Sequence, residues 1–172
     1  MFINAVRFCA FSVVALSVYG QPKDVQGWDK IQWGMTMAQV RSAYGVDTQP
    51  ESQDGWTLLK LNSVKIGGVE MGVQAGAHDG SEKITMVRLW SYFGLSTSAP
   101  SAGAQDFDTL RTVLIQKYGD PASEETRHGE NFRFIRTVRW TFPSTSILMT
   151  LEQSTSVPNI GNIILDYTAT GK

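Results

Sequence analysis

The chain has 172 residues, 15 Lys+Arg against 16 Asp+Glu, and a single cysteine. A balance this close to neutral gives no global electrostatic footprint for nucleic acid or an anionic membrane, and one cysteine excludes an internal disulfide framework. The length predicts one domain.

The N-terminus, Met1–Gly20, reads as a cleavable secretory signal. Arg7 is its only charge, and the apolar run Phe8–Val18 follows directly. That run has the length of a signal h-region, whereas a bilayer-spanning helix takes roughly 20 apolar residues. Ala15-Leu16-Ser17 and, less well, Val18-Tyr19-Gly20 supply small residues at −3 and −1. Polar sequence begins at Gln21, which favours cleavage there, with cutting after Ser17 left open. Cys9 follows Arg7-Phe8 inside the apolar run, not at its end where a lipidated cysteine belongs. The expected location is therefore periplasmic or secreted, without an anchor. Removing Arg7 from the 15 basic residues leaves 14 against 16 acidic ones. The mature chain, 21–172, has no disulfide although its compartment would permit one. A domain of this size buries roughly 70% of its unfolded surface, enough for a core to hold it.

Val40-Arg41-Ser42-Ala43-Tyr44-Gly45 resembles Leu114-Ile115-Gln116-Lys117-Tyr118-Gly119, at an offset of 74 residues. Each reads as the end of a helix. For the first helix, Thr36 at the N-cap and Gln39 at N3 form a capping box, and Met35 with Val40 forms a hydrophobic staple. Gly45 suits a left-handed C-cap. The second helix is expected to begin at Asp106 or Asp108. Phe107, Leu110, Leu114 and Tyr118 make its apolar stripe, and Gly119 with Pro121 ends it.

Strands follow each helix. Trp56–Leu61 alternates weakly, Asn62-Ser63 reads as a turn, and Val64–Val73 is rich in β-branched residues around Gly67-Gly68. Asp79-Gly80 marks a hairpin connection before Lys83–Phe93, whose two faces both hold apolar residues, as a central strand would. In the second half come Phe132–Phe142, a turn at Pro143-Ser144, and strands carrying Ile147, Met149 and Leu151, then Ile163, Leu165 and Tyr167. The reading is α+β: a tandem α-β-β-β repeat with halves at about 28–95 and 105–170. A Ser/Ala linker, Leu95–Ala104, joins them, and the two helices pack on one face of an antiparallel sheet. The other face would stay wet, which makes it the natural place for function.

The segment Trp28-x-x-x-x-Trp33-Gly34-Met35-Thr36-Met37-Ala38-Gln39-Val40, ending at Tyr44-Gly45, resembles the opening helix of the β-lactamase-inhibitor-protein-like fold. That fold also includes small outer-membrane-assembly lipoproteins. Lys117-Tyr118-Gly119-Asp120-Pro121 is similar to the helix ending of many exported bacterial proteins. The lipidated cysteine of the lipoprotein members and the disulfides of the inhibitor members are missing here. The resemblance implies a class: exported modules that bind other proteins and do not catalyse.

No motif for catalysis, metal or nucleotide binding is present, and no cofactor is expected. His78 and His128 read as loop residues, and a hydrolase would need one of them beside Asp79, Glu124 or Glu130. Gly67-Gly68 and Gly72 lie among strands with no following helix, so they read as a bulge or close backbone approach, not a phosphate cradle. Arg127, Arg133, Arg136 and Arg139 fall within 13 residues. Strand alternation puts Arg133 and Arg139 on the solvent face, beside Arg127, as a surface for an acidic protein partner. Arg136 falls in phase with the core and calls for a structural ion pair, with Glu152 or Asp166 the candidates. Trp28 and Trp33, before the first helix, are either part of that partner surface or a lid over the core. Trp56, Trp90 and Trp140 read as core. The leading function is a non-catalytic protein-binding module of the cell envelope, with a small-molecule or lipid carrier second and an envelope hydrolase third.

Overall fold

The computed structural model describes residues 23–93, 103–129, 133–154 and 161–171. Met1–Gly20, read above as a signal segment, and residues 95–102 of the expected linker lie outside the described residues. In chain order the elements are β1 (Gly27–Trp28), β2 (Ile31–Gln32), α1 (Met37–Tyr44), β3 (Glu51–Gln53), β4 (Trp56–Ile66), β5 (Val69–His78) and β6 (Met86–Phe93). Then come α2 (Ala104–Tyr118), β7 (Ser123–Gly129), β8 (Arg133–Thr141), β9 (Thr145–Ser154) and β10 (Gly161–Ala169). The protein is mostly β. This overturns the α+β reading of two helices on a sheet: an eight-stranded antiparallel sheet and a two-stranded one dominate, and the helices have only 8 and 15 residues.

The large sheet runs β3-β4-β5-β6-β10-β9-β8-β7. Two meanders of four strands therefore meet last strand to last strand, at a β6–β10 seam. The sequence reading found three strands in each half because the edge strands are hard to see. β7 is Ser-Glu-Glu-Thr-Arg-His-Gly and exposed almost throughout, with no apolar alternation. β3 has three residues, all exposed, and turns into β4 through Asp54-Gly55, both at positive φ (53° and 80°). Two successive left-handed residues match the twist of a two-residue hairpin, which an Asp-Gly pair suits.

Asn62-Ser63 is not a turn. It is a bulge in β4, where the pairing steps from Leu61↔Val73 to Val64↔Met71. The extra residue flips the strand's parity, so Leu59 and Leu61 before it, and Val64 and Ile66 after it, all reach the core side. The hairpin turn falls instead at Gly67-Gly68, with φ 58° and 90°. β6 begins at Met86, later than the expected Lys83, because Ile84 exchanges backbone hydrogen bonds with Gly34 and Met35 ahead of α1.

α1 has the predicted capping box from Thr36 and Gln39 and a left-handed Gly45. α2 begins earlier than expected, with Gly103 at its N-cap and no side-chain cap. Val40 of α1 and Phe107, Leu110, Leu114 and Tyr118 of α2 are buried in the same core as Met71, Leu89, Trp140, Met149 and Leu165 of the sheet. Tyr44 and Tyr118, the last residues of α1 and α2, both tie helix ends down. Tyr44 Oη donates to Asp29 Oδ2 (2.8 Å), and Tyr118 Oη lies 3.4 Å from Tyr167 Oη. Burial, then the Asp29 contact, pushes the Tyr44 hydroxyl well above its ordinary pKa.

The N-terminal strap crosses to the second half. Trp28 and Ile31 enter the core, with Trp28 centred 6.5 Å from Tyr167. Asp24 accepts from the Ser144 backbone N–H (2.9 Å) and hydroxyl (2.7 Å), Thr145 Oγ1 donates to the Val25 carbonyl, and Trp33 Nε1 donates to Thr145 Oγ1 (2.7 Å).

Candidate functional site

The sheet's other face is lined by the out-of-phase residues of every strand, and it divides at the seam. In the first half, the open-face positions of β5 are Gly72, Gln74 and Gly76, flanked by Trp56, Leu58 and Lys60 on β4 and by Met86, Arg88 and Trp90 on β6. All of these except the two glycines line a groove of about 590 Å³, which Gln53 and Asp54 of the β3–β4 hairpin and Ile164 of β10 also border.

Two glycines of β5 lie beneath the side chains that line the groove. A Cβ on Gly72 would sit 2.6 Å from Cε2 and 2.7 Å from Cζ2 of Trp90, so the indole lies directly over the bare backbone. A Cβ on Gly76 would meet Met86 Cε at 2.6 Å, with Leu58 and Trp56 carbons at 3.2 and 3.3 Å. Large apolar side chains thus lie down against the strand where side-chain bulk is missing. Trp56 is steadied from behind by His78, whose ring stacks on it at 3.8 Å and 30°. Arg88 is fixed by a bidentate pair with Asp166 directly across the seam, at 2.7 and 2.8 Å. Trp56, Leu58, Trp90 and Ile164 are half-buried, which leaves apolar surface facing solvent.

The second half of the open face is charged and shallower. Arg127 and Arg139 line a depression of about 370 Å³, together with Glu125, Thr137 and Glu152. Arg139 Nη1 donates to Ser146 Oγ at 3.2 Å. Arg133 takes the matching backbone position of β8, opposite Gly129 and Ser154. Arg127 and Arg139 therefore line one sheet face, with the acidic residues Glu125 and Glu152 interleaved among them.

Trp28 and Trp33 do not join them. Trp28 is 8% exposed within the core, and Trp33 is half-buried with its indole N–H on Thr145. Trp140 is core, its Nε1 donating to the Gly119 carbonyl at 2.8 Å. Trp56 and Trp90, read from the sequence as core, are the ones on the open face. The signal was Arg88: period-two alternation puts Met86, Arg88 and Trp90 on one face of a strand whose other face, Val87 and Leu89, is fully buried.

Arg136 forms the expected ion pair with a different partner. Its guanidinium meets Asp108 of α2 at 3.0 Å and stacks over the Phe107 ring at 4.7 Å, while Asp166 is taken by Arg88. The histidines are strand residues, not loop residues. His78 ends β5 and His128 sits in β7, edge-on to Phe134 at 6.0 Å. Four strands separate β5 from β7, which at the usual strand spacing is on the order of 20 Å. Among the described residues no three His, Cys, Asp or Glu converge as metal ligands, and no helix is long and apolar enough to cross a membrane. Compared with known proteins, the chain matches no family model, no curated protein and no solved structure.

Proposed function

We propose that the chain is an exported, non-catalytic protein-binding module of the cell envelope, and that the open face of the sheet takes the partner. The observation that carries this reading is the Trp56–Trp90 groove: half-buried aromatic and aliphatic side chains, fixed by packing, on a sheet face bordered by charge. Tryptophans held in a partly desolvated pocket and ringed by polar residues are the usual anchors of protein interfaces. A protruding apolar loop of the partner fits a groove of this size, with Gln53, Asp54, Lys60 and Gln74 at its rim. The arginines Arg127 and Arg139 then orient the approach, because charges interleaved with Glu125 and Glu152 favour a mixed-charge surface over a purely acidic one. The apolar run Phe8–Val18 supports export, and the resemblance to exported binding modules agrees with it.

The test is capture from envelope extract of the source organism by the tagged protein and by its W56A/W90A variant. A protein retained by the first and lost by the second supports the reading. A blank at several salt concentrations, or capture indifferent to both tryptophans, overturns it. A small apolar molecule co-purifying in the groove would favour the carrier reading, since the volume lies within the range of small-ligand sites.

A further inference from the structure

β7 ends the large sheet on one side, and its seven residues are exposed almost throughout. Its inner edge is paired with β8 from Ser123↔Arg139 to Gly129↔Arg133. No strand lies beyond it among the described residues, so its outer N–H and C=O groups face outward. Such an edge is a template for another strand. The opposite edge, β3, has only three residues.

The sequence of β7 is self-complementary when read antiparallel. Centring the pairing on Thr126 sets Thr126 against Thr126, Glu125 against Arg127, Glu124 against His128, and Ser123 against Gly129. Directly opposed residues share a face, with Cβ atoms about 5 Å apart, and opposite charges and Thr–Thr pairs are favourable there. Glu125 and Arg127 are on the open face, so that face would carry two Glu–Arg pairs, one on each side of the axis. The register is also protected against slippage. A shift of two residues one way opposes Glu125 to Glu125, and the other way opposes Arg127 to Arg127.

We propose that β7 is a self-recognition edge, through which a second copy of this chain adds antiparallel to make a continuous sixteen-stranded sheet. The contact is isologous, so it uses up both β7 edges and closes at two copies, whereas β3-to-β7 pairing would be head-to-tail and open-ended. The proposal stands apart from the Trp56–Trp90 groove, which lies in the other half of the face, and it draws Glu125 and Arg127 of the charged half into the contact between copies.

Sedimentation velocity of the purified protein across a range of concentrations tests it. The wild type should populate a dimer. E125R opposes arginine to arginine twice, and R127E opposes glutamate to glutamate twice. Each should raise the dimer dissociation constant at least about ten-fold. Mixing the two variants restores both opposite-charge contacts, so an equimolar mixture should recover dimer within roughly three-fold of wild type, as should E125R/R127E alone. Recovery on mixing also shows that each variant is folded. A wild type that stays monomeric at every concentration, single variants that dimerise as well as wild type, or a mixture that stays monomeric would each overturn the proposal.

Discussion

On one side of the β6–β10 seam the open face is a groove walled by tryptophan; on the other it is a shallow, mixed-charge surface. Both sides are four-stranded meanders with the same order and the same core-facing alternation. What separates them is the second-last strand of each meander. β5 presents Gly72 and Gly76 to the open face, where β9 presents Ser146, Leu148, Thr150 and Glu152. Without those two Cβ atoms the neighbouring indole and thioether settle onto the backbone, and an apolar surface forms over the bare strand. The same scaffold thus yields an anchoring surface or a steering surface according to a few side chains, with the backbone plan unchanged.

If the groove anchors and the arginines steer, alanine at Trp56 and Trp90 together should weaken a captured partner about a hundred-fold or more, as paired hot-spot truncations do. Titration calorimetry or surface capture would measure it, and a loss below ten-fold would erase the distinction between the two sides. G72A tests the packing beneath Trp90. The new methyl must displace Trp90, so denaturant unfolding should show a loss of about 1–3 kcal/mol, with a shift in tryptophan emission. Unchanged stability and emission would mean that the indole does not rest on β5. R139A, which leaves the β7 edge intact, should cost about 1 kcal/mol of binding or less, visible in the association rate at low salt and absent at high salt. An effect as large as that of the tryptophans, or one that survives high salt, would make the charged side the anchor.

The smallest effect concerns how the halves are tied together. The Ser144 hydroxyl and backbone N–H hold the Asp24 carboxyl below the ordinary carboxylate pKa. A depressed folded pKa adds stability above the unfolded value, and that increment is lost as pH falls through the folded one. Wild type should therefore exceed D24N slightly at neutral pH, with the gap closing on acidification below about pH 4. A gap that persists into strong acid would show that the strap is held by other groups.

The sequence disclosed the parts of this architecture that local chemistry dictates. The capping box at Thr36 and Gln39, the left-handed Gly45, the stripe from Phe107 to Tyr118 and the turn at Pro143-Ser144 are each specified within a few residues. It failed where meaning depends on a neighbour. β7 is polar because it lies at an edge, so it carries no apolar period to detect. Asn62-Ser63 breaks the alternation in the way a turn does, and only the partner strand reveals a bulge. Trp90 in a strand with two apolar faces is ambiguous until the bare backbone of Gly72 is found beneath it. Alternation along one strand brings out its arginines, but Glu125 and Glu152, which line the depression beside Arg127 and Arg139, come from different strands, and their neutralising presence depends on register.

The seam has a consequence for how the chain assembles. Every other pairing in the large sheet joins strands adjacent in sequence, so its loops are short and quickly closed. β6 and β10 alone must find each other across the whole second meander, and the entropy of that one long closure falls on a single contact. The order of folding expected from this is two meanders forming separately, then docking along Met86–Phe93 and Gly161–Ala169. Pulsed hydrogen exchange during refolding would see β8–β9 amides protected before those that bridge the seam, and simultaneous protection would mean that the halves never exist apart.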